Sequence, residues 1–207
     1  DEEVSPDDIA IFYRTNAQSR MMEDALRATK IAYRVIAGIK FYERKEVKDL
    51  LSYLKIIVND KDSLSLSRII NVPVRGIGPR TLRKIEDEAV KSELSLWEMI
   101  VKIVENQEEY KYLRLMSKVK SGLANFVSLV QEVKGLEANG ELPSNCYEKL
   151  LMESGYYENL VAEKSYESQA RIETLDESLS AIKQFEQMTE KASLLTFLEK
   201  ITLDTSS

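Results

Sequence analysis

The sequence predicts a mainly α protein: a helical body containing a helix-hairpin-helix-like element, preceded by a small strand-helix-strand unit. Three observations carry this expectation. From about Val47 onward, apolar residues recur at three- and four-residue spacing, the signature of helices with one buried face. Ahead of that body, two short β-rich runs at residues 9–13 and 31–36 flank one helix-spaced segment. Between them and the remaining helices, residues 64–85 (LSLSRIINVPVRGIGPRTLRKI) bring two helical patterns together at a Gly-Ile-Gly turn.

The elements follow in order. The run Ile9-Ala10-Ile11-Phe12-Tyr13 suits a buried strand. Asn16 is a good N-cap for a helix over residues 17–29, whose Met21, Met22, Ala25 and Leu26 would face inward. Lys30 turns the chain into a second strand at residues 31–36, so strand, helix and strand make a βαβ unit too small to form a sheet alone. Gly38 marks a break. Leu50, Leu51, Leu54, Ile57 and Val58 form the next helical stripe, ended by Asn59-Asp60-Lys61-Asp62. After the hairpin come a short helix over residues 94–104 with Trp97 in the core, and a long helix over residues 108–134 carrying Leu113, Met116, Val119 and Leu123. A loop at residues 135–143 and helices over 144–154, 156–162, 168–188 and 193–203 complete the series.

Bulk properties narrow the function. With 207 residues, 43% hydrophobic and 31% charged, the chain can build a real core and has the composition of a globular protein. No apolar run reaches the roughly 20 residues of a membrane span, so no membrane partner is expected. Cys146 is the only cysteine and cannot form an internal disulfide, which points to a reducing compartment, the cytoplasm. Histidine is absent, removing the commonest neutral-pH general base and metal ligand. The sequence has no Gly-rich phosphate loop followed by Lys-Ser/Thr, no CxxC and no nucleophile elbow. No catalytic residue and no metal site is assigned. The chain opens on Asp1-Glu2-Glu3 without Met and stops at Thr205-Ser206-Ser207, and the expectation is a piece of a longer protein.

The hairpin carries the strongest signal. The net charge is −6, yet Arg68, Arg75, Arg80, Arg83 and Lys84 lie in a stretch with no acid between Asp62 and Glu86. Gly76 and Gly78 permit backbone angles and close approaches that side chains resist. Pro79 suits the first helical position, where its missing N–H costs nothing. The free N–H groups of that helix start, with the positive dipole end behind them, form an anion site that a DNA phosphate fits. Thr81 adds a hydroxyl donor. The bland reading is a tight turn whose arginines are merely solvated.

Other residues leave two readings open. Arg14 and Asn16 sit where a strand would run into its helix, the edge at which α/β sheets place ligands; equally, Asn16 could only cap the helix and Arg14 pair with an acid. The charge-rich stretch at residues 41–49 reads as a solvated helix start with i,i+4 ion pairs, or as Arg44 bracing a junction. Tyr156 and Tyr157 could stack on a base or simply pack.

Three stretches share one resemblance. YRTNAQSR at residues 13–20, AGIKFYERKEVKDLLSYLK at 37–55 and NVPVRGIGPRTL at 71–82 resemble, in order and spacing, consecutive pieces of the UvrD/PcrA/Rep superfamily 1 DNA helicases. The resemblance implies that residues 1–37 are a partial segment of the α/β motor domain 2A and that residues 38–207 are the all-helical domain 2B. It implies that Arg14 and Asn16 contact the single strand, and that Arg75, Gly76, Ile77, Gly78, Arg80 and Thr81 hold duplex DNA ahead of the fork; Arg83 and Lys84 join the expected DNA-binding set by their charge beside that site. Arg44 and Glu46 match the segment joining 2A to 2B. Pro79 stands where relatives often carry an acidic residue, which removes a negative charge and leaves the phosphate site intact.

The resemblance also implies a parent that is an ATP-dependent 3′-to-5′ DNA helicase of repair or replication, using ATP and magnesium. The Walker motifs and the γ-phosphate arginines do not occur in these 207 residues, so the piece itself is expected to be inactive and to need no cofactor. Its expected partners are DNA at a duplex/single-strand junction, the remaining motor domains and DNA-repair proteins. The rival expectation is an autoinhibitory, protein-docking module whose acidic helices from Leu136 onward carry the function. A freestanding helix-hairpin-helix nuclease accessory protein is a further alternative, weakened by a strand-helix-strand unit that is useless without more sheet.

Overall fold

The computed structural model describes residues 4–36 and 38–205, and among these residues every regular element is helical. Ten α-helices follow one another: α1 (Ser19–Ala28), α2 (Lys45–Val58), α3 (Ser63–Ile69), α4 (Pro79–Lys91), α5 (Leu96–Glu105), α6 (Ser117–Ala138), α7 (Pro143–Glu153), α8 (Tyr156–Glu163), α9 (Tyr166–Met188) and α10 (Leu194–Thr205). Short 3₁₀ turns occupy Pro6–Asp8, Asn16–Gln18, Phe41–Glu43 and Lys111–Leu113. The mainly α expectation holds. The domain boundary expected at residues 37/38 falls on Ala37, which lies outside the described residues.

Helix α2 is the hub. Its Leu50, Tyr53, Leu54, Ile56 and Ile57 are buried, and it packs against α3, α6, α7, α9 and α10. The long α6 and α9 contribute Leu123, Phe126, Val130 and Val133, and Ile172, Leu175 and Ile182, to one continuous core. Trp97 is buried there, its ring edge-on to Phe126. Local signals set the helix starts: Ser95 and Glu98 form a reciprocal capping box on α5, and Asp62 accepts the Ser65 N–H at the start of α3.

Several sequence expectations fail for physical reasons. Met21, Met22 and Ala25 of α1 are exposed rather than turned inward, because the face that α1 buries is the polar one of Ser19, Arg20 and Glu23. The runs at residues 9–13 and 31–36 are not strands: no ladder forms there among the described residues, and Ile9 and Ile31 donate only to the nearby Pro6 and Leu26 carbonyls. A strand is stabilised by its ladder and by a covered face. Here Phe12 is 93% exposed and Ile36 78% exposed, so neither condition is met. Only the helix of the expected strand-helix-strand unit, α1, forms. The long helix also begins later than its apolar spacing suggests. Arg114 has φ +51, which interrupts any helix before Ser117, and Met116 is exposed. At the other end α6 runs through Gly135 to Ala138, so the expected loop at 135–143 shrinks to residues 139–142.

The link between α1 and the helical body is a buried polar cluster. The Glu23 carboxylate, 2% exposed, accepts from Ser19 Oγ (2.8 Å), the Phe41 N–H (3.1 Å) and Tyr33 Oη (3.1 Å). The Arg44 guanidinium donates to Ser19 Oγ (2.7 Å), the Ile39 carbonyl (3.4 Å) and Thr174 Oγ1 (3.5 Å), tying α1 and the start of α2 to α9. Arg20 adds an ion pair to Glu177 at 2.5 Å. The stretch at residues 41–49 is therefore no solvated helix start: Phe41, Arg44, Glu46 and Asp49 are all buried. Hydrogen bonds within the protein offset the cost of burying Arg44 and Asp49.

Candidate nucleic-acid interface

The turn between α3 and α4 is built by one asparagine. Asn71 Oδ1 accepts the backbone N–H groups of Arg75 (2.8 Å) and Ile77 (3.0 Å), closing the loop over itself. Gly76, between those two donors, has φ +81, a conformation that side chains resist. Ile77 then turns inward and is buried, anchoring the turn to the core. Gly78 is different: at φ −75 and ψ 173 it is ordinary extended backbone, and a Cβ there would meet nothing within 4 Å.

Arg75 faces inward, not outward. Its guanidinium donates to the carbonyls of Ile69 (2.9 Å) and Ile70 (3.0 Å) at the end of α3, and to Tyr53 Oη (2.5 Å), and it stacks 4.8 Å from the Phe126 ring centroid. Tyr53 Oη in turn donates to the Val72 carbonyl at 2.5 Å. Terminal helix carbonyls lack intrahelical partners, and Arg75 supplies them. Arg68 is likewise occupied: it pairs with Asp49 at 2.8 Å, whose other oxygen accepts from Tyr156 Oη at 3.0 Å. Tyr156 is thereby a packing residue with its hydroxyl satisfied inside the protein.

What faces solvent is the start of α4. No side chain caps this helix, and Pro79 occupies its first turn. Arg80, Arg83 and Lys84 are exposed, and none makes a hydrogen bond or ion pair among the described residues. Thr81 is half-buried on the same turn. The arrangement is a set of free backbone N–H donors, the positive end of a helix dipole and three uncompensated cations. Such a surface attracts an anion without selecting among bases.

The bed beneath the turn is α6, which the sequence reading did not connect to the hairpin. Gly122 lies against Arg75: a Cβ at 122 would stand 3.0 Å from Arg75 Cβ and 3.1 Å from its carbonyl oxygen. A lone glycine within a helical stripe is a usable sequence sign of such a close approach. Tyr53 and Phe126 carried no comparable sign, because the Arg75 they meet lies far away in sequence.

Arg14 and Asn16 lie on a separate element. The turn they belong to packs against α1 and α9, whereas the hairpin packs on α6. Both residues are exposed. Gln18, rather than Asn16, holds the chain before α1: its Oε1 accepts the N–H groups of Arg14 (2.9 Å) and Thr15 (3.2 Å). The structure does not bring these residues to the hairpin.

Comparison with known proteins agrees along the whole chain. The model of the UvrD-like helicase C-terminal domain matches residues 1–207. The chain is 39% identical over 198 residues to the ATP-dependent DNA helicase PcrA of Staphylococcus epidermidis strain ATCC 35984 and to that of Staphylococcus aureus strain NCTC 8325. Each match covers 95% of this chain and 26% of the relative, so the chain spans about a quarter of the length of the curated relatives it matches.

Proposed function

The chain belongs to the UvrD-like helicase C-terminal domain family, and from that membership we propose that its helical body, residues 38–207, is the 2B-type domain of an ATP-dependent DNA helicase and grips duplex DNA near the fork. The observation that carries this reading is the uncapped start of α4, flanked by exposed and unpaired Arg80, Arg83 and Lys84 in a chain of net charge −6. Phosphates of one strand would sit on the free N–H groups, with Thr81 as an added donor and the three cations around them. Gly76 and Ile77 set the shape of the turn. Arg75 acts behind the contact surface, as a positioning residue.

Residues 4–36 are assigned to the motor side of the parent. Their exposed Ile9, Phe12 and Ile36, on backbone that joins no ladder among the described residues, suit strands completed by sheet elsewhere in a longer protein. Arg14 and Asn16 would then reach the single strand from that side, and Arg44 with Glu46 would brace the junction. ATP and magnesium belong to the parent's motor. The Gly76-Ile77-Gly78 turn does not fit a nucleotide cradle: a helix precedes it, and Pro79-Arg80-Thr81 stands where a phosphate loop carries Lys-Ser/Thr.

Titrating a fluorescently labelled forked duplex with the chain, beside a single strand of the same length, tests the reading. Preference for the fork, weakening with salt, supports it; equal or absent binding removes it. The rival reading, autoinhibitory docking through the acidic helices after Leu136, draws on the exposed Glu153, Glu163 and Glu167 of α7 to α9. It predicts that charge reversal at those glutamates changes motor or repair-protein contacts and leaves fork binding intact.

A further inference from the structure

We propose that Lys118, at the start of α6, is a further DNA backbone contact, holding a phosphate beside Gly76. The inference rests on the duplex-gripping reading above and adds a second helix to it.

Three observations support Lys118. Its aliphatic stem lies along the hairpin: a Cβ at Gly76 would be 3.6 Å from both Lys118 Cγ and Cδ. Its amine, two bonds farther out, makes no hydrogen bond or ion pair among the described residues, and the residue is exposed. The helix that carries it begins at Ser117 with no side-chain cap, so a second set of free N–H donors opens beside the same glycine. A stem held against the hairpin leaves the charged head less freedom to lose on binding than a lysine on an open surface.

The geometry brings the two helix starts within one backbone contact zone. From Gly76 to Pro79 is three residues, a span of at most about 11 Å, and a Cβ added at the first of these would be in van der Waals contact with Lys118. Free helix N-termini and unpaired cations near a side-chain-less point match the chemistry of consecutive phosphodiesters, one per ~3.4 Å of rise along each strand. Lys120, two residues on, provides an internal contrast: it is half-buried and lines a small hollow with Ile103, Val104 and Tyr110 towards α5.

The test is the salt dependence of binding to a forked duplex, read by fluorescence anisotropy on the whole chain, for Lys118→Gln, Lys118→Arg, Lys120→Gln and Arg80→Ala. Losing one phosphate contact should lower the log–log slope by about 0.9. The affinity lost between about 50 and 200 mM salt should then shrink by about 3.5-fold for Lys118→Gln. Lys118→Arg and Lys120→Gln should keep the original slope. A slope for Lys118→Gln no different from Lys120→Gln, while Arg80→Ala is reduced, overturns the inference and leaves the hairpin reading standing. Unchanged slopes in Lys118→Gln and Arg80→Ala together overturn both. Thermal unfolding of each variant separates lost contact from lost fold.

Discussion

The backbone of Arg75 rests on Gly122, so closely that a methyl group at position 122 would stand 3.1 Å from the Arg75 carbonyl oxygen. This contact fixes the hairpin on α6. Replacing a helical glycine by alanine ordinarily gains about 1 kcal/mol, whereas forcing a carbon into a filled space costs about 1–3 kcal/mol. Backbone cannot swing aside as a lysine tip can, so the cost wins. Gly122→Ala should lose about 1 kcal/mol and weaken fork binding. Gly135→Ala, in the same helix with nothing within 4 Å of the added carbon, should gain up to about 1 kcal/mol and leave binding unchanged. Urea unfolding of the two variants checks the opposite signs.

The two glycines of the turn should separate as cleanly. Gly76 has φ +81 and Gly78 has φ −75. Gly76→Ala should cost about 1–2 kcal/mol for the left-handed backbone alone. Gly78→Ala meets open space and ordinary angles, so its stability should stay within about 0.5 kcal/mol. Thermal unfolding midpoints distinguish the two.

Two arginines five residues apart should fail in different ways. Arg75→Ala leaves the Ile70 carbonyl without its partner, takes one of two from the Ile69 carbonyl and from Tyr53 Oη, and removes the stacking on Phe126; an unsatisfied buried group costs about 1–3 kcal/mol. With part of that cost relieved by water, a loss of about 2–3 kcal/mol is expected. Arg80→Ala removes an exposed side chain without partners, and stability should hold within about 0.5 kcal/mol while fork binding weakens. Equal stability losses would contradict the inward and outward assignments.

Much of this was legible in the sequence, and the parts that were not share a cause. Helical spacing located α2, α4, α5, α7 and α9, because amphipathic periodicity is a local property. The charge reversal around residues 64–85 likewise located the exposed cations. Arg75 was legible as a cation but not in its direction, which depends on Tyr53 and Phe126, distant in sequence. The runs at residues 9–13 and 31–36 carry strand-like side chains, but a strand is completed by its neighbours, and no neighbour lies among the described residues. Gly122 was visible and unread.

Cys146 offers a check on the core. Burial, followed by the negative charges of Glu141 and Glu137, pushes its thiol up to about 11 from an ordinary 9.0. The native state therefore holds the proton where the unfolded chain has released it. The stability this group contributes is complete below about pH 9 and falls away as pH rises towards 11. Alkylation near pH 8 should be slow in the folded protein and fast in urea; rapid labelling of the folded form would contradict the packing of α7.

The most direct measurement of the central claim is fork binding by the Gly76→Val, Arg80→Ala double variant across salt. Neutralising about 3–4 phosphates gives the unaltered chain a log–log slope near −3. The double variant should bind more weakly, with a slope shallower by about 1 or more. An affinity and slope equal to those of the unaltered chain, in a variant still folded by circular dichroism, would contradict the account.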